Sequence, residues 1–158
     1  MTDRELSIVL RELACNQSTP LCKQWTEEWA DDTDIDSLLK KYVRGFDFCV
    51  QNDYPPLDFI RKNFDKEVLH KHNIYVDEEV NIPFAKSGYY IFLGDCTGSI
   101  EASGFCAVTI YLRHNSKINV ISKSAARVFV TFYEQSECSC ISDGFGKIRQ
   151  YDRRKSII

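Results

Sequence analysis

A ten-residue repeat constrains this chain more than any other feature. Residues from about 86 to 158, written in blocks of ten, align five units. They are Cys106-Ala107-Val108-Thr109-Ile110, Ser116-Lys117-Ile118-Asn119-Val120, Ala126-Arg127-Val128-Phe129-Val130, Ser136-Glu137-Cys138-Ser139-Cys140 and Gly146-Lys147-Ile148-Arg149-Gln150. Cys96-Thr97-Gly98-Ser99-Ile100 is a degenerate earlier copy. Each unit reads small, polar, apolar, any, apolar. Short units of this kind cannot bury their own apolar face, so stacked neighbours must do it.

The alternation inside each unit is a strand pattern, with even positions facing inward and odd positions outward. The intervening pairs His114-Asn115, Lys123-Ser124, Glu134-Gln135 and Asp143-Gly144 suit turns. Two units per coil predict a rung of about 20 residues and three to four rungs. Val108 then lies over Val128 and Ile148, and Ile118 over Cys138. An antiparallel β-meander is the alternative, since alternation and Asp143-Gly144 also suit hairpins. The small residue before each strand favours the tight corners of a solenoid.

The first part of the chain has helical spacing instead. Thr2-x-x-Glu5 is a capping box ahead of Leu6, Val9, Leu10 and Leu13, which predicts a helix to about Cys15. Thr19-Pro20 starts a second helix bearing Trp25 and Trp29 on one face. Asp34 or Asp36 caps a third, with Ile35, Leu38 and Leu39 in its stripe and Gly45 at its end. Pro55-Pro56 opens a fourth through Phe59, Ile60 and Phe64, a short turn covers Val68-Leu69, and Ile74-Tyr75-Val76 is the first strand. The chain therefore reads as α+β: an α-helical head over 1–73 and a repetitive β-solenoid over 74–158.

This layout resembles small bacterial or phage-borne proteins of unknown function, in which a helical head precedes a right-handed β-helix of degenerate short repeats. The resemblance covers the layout of the whole chain, implies a fold and carries over no active residues. Larger β-helix proteins, among them polysaccharide lyases and phage tailspikes, have longer rungs and a clustered catalytic set. Left-handed hexapeptide solenoids have a period of six.

Several functional classes find no support. No apolar run approaches the ~18 residues that span a bilayer. Met1-Thr2-Asp3-Arg4-Glu5 has no basic n-region or apolar h-region. The expectation is a cytoplasmic protein with no membrane partner. The seven cysteines include no C-x-x-C pair, and Cys138 and Cys140 share one strand face as buried thiols. Asp32-x-Asp34-x-Asp36 opens like a calcium loop but continues with Ser37 and Val43 where glycine and glutamate are needed. His70-x-His72 lacks a third ligand nearby. No nucleophile elbow, phosphate loop or metalloprotease motif occurs, so no catalytic residue, metal or cofactor is expected.

Charge and outward columns give the functional expectation. Residues 1–80 carry 17 acidic and 10 basic side chains, whereas residues 81–158 carry 6 and 10. On a 20-residue rung, Thr109, Phe129 and Arg149 form one outward column. Tyr111, Thr131 and Tyr151 form the next, and Arg113, Tyr133 and Arg153 a third. The candidate binding residues are thus Tyr111, Arg113, Phe129, Tyr133, Arg149, Tyr151 and Arg153. Alternating rings and guanidinium groups suit a protein partner or self-association, and secondarily nucleic acid or another polyanion. The expected function is a non-enzymatic interaction or structural accessory role. Exposure of Tyr111, Phe129, Ile121 and Ile141 would favour self-association.

Overall fold

The computed structural model describes residues 2–15, 34–44 and 55–154. It divides into two compact units, 1–72 and 73–158. In the first, Thr2 and Glu5 close the expected capping box: Thr2 Oγ1 accepts from the Glu5 N–H at 3.2 Å, and Glu5 Oε2 from the Thr2 N–H at 2.7 Å. These bonds satisfy donors at the start of α1 (Asp3–Cys15), whose Leu6 and Leu10 are buried. Asp34 caps α2 (Ile35–Arg44) by accepting from the Ser37 N–H at 2.9 Å. Asp3 Oδ2 ties the helices together by accepting from the Ile35 N–H at 2.9 Å. Helices α3 (Leu57–Asn63) and α4 (Lys66–His70) bury Ile60 and Leu69. The helix expected after Pro20 and the helix end expected at Gly45 lie outside the described residues.

The second unit is a β-solenoid. Among the described residues, nine strands alternate between two sheets, a five-stranded one ordered β1-β3-β5-β7-β9 and a four-stranded one ordered β2-β4-β6-β8. The strands are β1 (Ile74–Val76), β2 (Glu79–Ile82), β3 (Gly88–Leu93), β4 (Thr97–Ser103), β5 (Ala107–Leu112), β6 (Lys117–Lys123), β7 (Arg127–Phe132), β8 (Glu137–Ser142) and β9 (Lys147–Asp152). All the described pairings are parallel. That excludes the meander, whose neighbours run antiparallel. Val108 pairs with Val128 and Val128 with Ile148, while Ile118 pairs with Cys138, as the repeat implies. The first rung is shorter: Ile74 pairs with Ile91 and Glu79 with Thr97. Its residues therefore fall out of phase with the ten-residue alignment.

Inward positions make the core. Val108, Ile110, Leu112, Val120 and Val130 are fully or almost fully buried, each worth about 1.5–3 kcal/mol in apolar transfer. Tyr75 stacks on Phe92 with ring centroids 5.2 Å apart. The corners repeat as regularly as the strands. Gly94, Gly104, His114, Ser124, Glu134 and Gly144 all take positive φ, between 56° and 94°. Each turns the chain sharply, and the small residue two positions later fits beneath the next strand. Four of those small residues bond to backbone carbonyls: Cys96 to Leu93 at 3.2 Å, Cys106 to Ser103 at 3.8 Å, Ser116 to Gly94 at 3.2 Å and Ser136 to Leu112 at 3.2 Å. The carbonyls of Leu93, Gly94 and Leu112 also accept a backbone N–H, from Asp77, Asn115 and Tyr133, so the side chains add a second bond there. The four turn pairs of the sequence each contribute one of the positive-φ residues.

The last rung is more polar than the rest. Its inward positions are Cys138, Cys140, Ser142, Ile148, Gln150 and Asp152. Arg154 is bidentate to Asp152, at 3.0 and 2.8 Å, and its guanidinium lies 4.9 Å from the centre of the Phe132 ring. Terminal repeats of solenoids need such polar capping.

Candidate interaction surface

The three outward columns exist as the period implies. Thr109, Phe129 and Arg149 are in register, as are Tyr111, Thr131 and Tyr151. The N–H groups of Arg113, Tyr133 and Arg153 donate to the carbonyls of Phe92, Leu112 and Phe132, which places these three at successive rungs. Exposure divides them. Tyr111, Arg113 and Tyr133 are only 8%, 6% and 8% exposed, so the expectation that they form an open contact surface is corrected. Phe129 is half-buried, whereas Arg149, Tyr151 and Arg153 are exposed.

The buried residues keep distinct company. Ile74, Ile91 and Tyr111 stack on the outer face of the five-stranded sheet, where Val76 and Leu93 are buried too. This outer apolar set breaks the rule that odd positions are solvated, and Tyr111 belongs to it. Arg113 is held by Glu134, whose Oε1 accepts from Nε at 3.2 Å and from Nη2 at 2.9 Å. Its guanidinium also lies 5.4 Å from the centre of the Tyr133 ring. A desolvated cation–π contact is worth about 2 kcal/mol, so Arg113 and Tyr133 stabilise their corner.

The open part of the face is therefore its last two rungs. The outward positions of β7 and β9 are Arg127, Phe129, Thr131, Lys147, Arg149 and Tyr151, followed by Arg153. None is a carboxylate. Neighbouring strands lie about 4.8 Å apart, so the cations of one strand reinforce those of the next. The outer face of the four-stranded sheet has mixed charge, with Lys123 paired to Glu101 at 2.8 Å. Ile121 is half-buried there and Ile141 exposed.

Comparison of the chain with family models, curated proteins and solved structures finds no match. The reading of this surface therefore rests on its own chemistry.

A second feature escaped the sequence reading. Phe105 is 99% exposed, Phe84 87% and Phe145 80%. Phe105 and Phe145 follow the positive-φ glycines Gly104 and Gly144 in the β4–β5 and β8–β9 corners. Ala125 holds the equivalent position between them, and Phe84 lies in the β2–β3 connection at the same edge. The opposite edge has Asp95, Asn115 and Gln135 at matching positions. The signal was the repeated Gly-Phe pair two rungs apart, hidden because it falls between the aligned strand units.

The remaining candidate chemistry is structural. Asp34 caps α2, and Asp36 Oδ1 lies 3.1 Å from His72 Nε2. Cys96, Cys106, Cys138 and Cys140 are free thiols. Cys140 Sγ lies 3.8 Å from Cys138 Sγ, and its bond to that sulfur lowers the Cys140 pKa while raising that of Cys138. No group of three or more potential metal ligands occurs among the described residues. No described helix is long and apolar enough to cross a membrane.

Proposed function

We propose that this chain is a non-enzymatic interaction protein whose contact surface is the outer face of β7 and β9. One observation carries the reading: Arg127, Lys147, Arg149 and Arg153 are exposed beside Phe129 and Tyr151, and no outward position there bears a carboxylate. Parallel pairing of β7 with β9 sets these groups in register at the strand spacing. Guanidinium groups recognise carboxylates through paired hydrogen bonds, and the neighbouring rings supply apolar contact at low entropic cost. The partner that fits is a protein surface with exposed carboxylates. The resemblance in layout to phage-borne proteins supports an accessory role in a phage or mobile element.

The test compares wild type with Arg149→Glu/Arg153→Glu in pull-downs from native lysate, with and without nuclease. The expected result is a protein that survives nuclease, is released by salt and is lost in the variant, while the two proteins melt alike. Material lost on nuclease treatment would replace the protein partner with nucleic acid, which the same arginines and rings can also hold. Equal recovery by both proteins would show that this face is not the contact surface.

A further inference from the structure

Three phenylalanines on one solenoid edge stand almost wholly in solvent, and nothing in the stability of the rungs explains them. Side chains that are 80–99% exposed contribute little to the folded state. The flanking residues are small or turn-forming: Ser103-Gly104 before Phe105, Gly144 and Gly146 around Phe145, and Pro83 and Ala85 around Phe84. The rings project from corner tips, and Phe105 and Phe145, two rungs apart, are separated by roughly 10 Å. Cations flank the same edge. Lys86 follows Phe84, Lys147 follows Phe145, and Arg127 occupies the rung between Phe105 and Phe145; all three are exposed. Of the nearby carboxylates, Glu101 is paired with Lys123, and Asp143, which accepts from the N–H groups of Ser124, Phe145 and Gly146, keeps its charge but is outnumbered by Lys86, Arg127 and Lys147.

We propose that this edge docks on a bilayer surface containing anionic lipid, with Phe84, Phe105 and Phe145 entering the interface and the flanking cations facing the headgroups. Aromatic rings partition into the boundary between headgroup and acyl chain, and basic residues beside an anionic leaflet add attraction. The charge decides between occupants. A second copy meeting this edge would bring Arg127 and Lys147 toward identical cations, whereas an anionic leaflet neutralises them. The shape agrees: separate rings enter a fluid layer without matching pockets, and a protein partner would have to supply pockets at the rung spacing. The proposal departs from the sequence expectation of no membrane partner, which rested on the lack of an apolar run that an interfacial contact does not need. The proposal concerns the edge and holds whether or not the face of β7 and β9 has a protein partner.

The experiment is co-sedimentation of the full chain with phosphatidylcholine vesicles, with and without phosphatidylserine. Wild type is expected to sediment with the phosphatidylserine vesicles and to stay in solution with phosphatidylcholine alone. Phe105→Ser/Phe145→Ser is expected to lower the partition coefficient about tenfold per phenylalanine. Ala125→Glu, which keeps every phenylalanine, is expected to weaken binding as well. Both variants should melt as wild type does. Failure of wild type to bind phosphatidylserine vesicles would overturn the proposal. Equal binding by the double serine variant would overturn it too, by assigning the attraction to the cations alone. A wild-type dimer that becomes monomeric in the double variant, without vesicle binding, would reassign the edge to a contact between copies.

Discussion

At the scale of single residues, backbone proximity makes some positions intolerant in ways side-chain chemistry does not reveal. Gly98 sits on the inner face of β4 opposite Val80, with φ +134°, and an added Cβ would lie 1.8 Å from the Val80 carbonyl oxygen. Gly98→Ala therefore combines a backbone clash with an unfavourable φ. We expect a loss of about 3 kcal/mol, read from the urea midpoint. Asp143 organises the β8–β9 corner, and backbone N–H groups of Gly146, Ser124 and Phe145 hold its carboxyl below the ordinary carboxylate range. A folded-state pKa lowered in this way stabilises the protein above the unfolded value, near 3.9. That contribution disappears as pH falls through the lower folded value. The stability gap between wild type and Asp143→Ala should therefore be full at neutral pH and shrink below about pH 4. Urea titrations of both proteins across that range would show the two curves converging.

At the scale of elements, the rung is the unit that can be added or removed. From β3 onward the paired residues are one full rung apart, and inward positions stay in register from rung to rung. Deleting residues 117–136 removes one rung and lets β8 pair with β4 in the register that β6 held. The shortened chain should melt cooperatively at a lower temperature, since fewer interfaces remain and Cys138 and Cys140 replace Ile118 and Val120. Deleting residues 116–136 removes one residue more, including the buried Ser116 of the corner. The following strands must then turn their apolar side chains outward or distort the corner. Circular dichroism should show lost cooperativity in that protein.

At the scale of the whole molecule, stability in the solenoid is graded along the stack. The middle rungs bury Ile100, Ile110, Leu112 and Val120, whereas β8 and β9 end in polar inward residues and exposed strands. A stack of nearest-neighbour interfaces frays first where an interface is weakest. Amide exchange should be slowest in β4 to β6 and fastest in β8 and β9. Uniform protection across all rungs would contradict this gradient. The gradient also places the exposed cations of β9 on the strand with least support.

The sequence by itself determined what depends on near neighbours in the chain. Strand alternation, the rung length from β3 onward, the inner stack of Val108, Val128 and Ile148 and the turn pairs were legible, because a period of two within a period of ten leaves a direct mark. The capping box at Thr2 and Glu5 was legible for the same reason. Tertiary structure decided what depends on residues brought together from separate rungs. Strand alternation is the same in a solenoid and a meander; the small corner residues favoured the solenoid, and the parallel pairing of the strands fixed it. Burial of Tyr111, Arg113 and Tyr133 goes with the outer apolar set and with Glu134, neither of which the repeat pattern encodes. The phenylalanine edge emerged only when corners rungs apart were aligned in space, since exposure belongs to a surface and a surface is assembled by the fold.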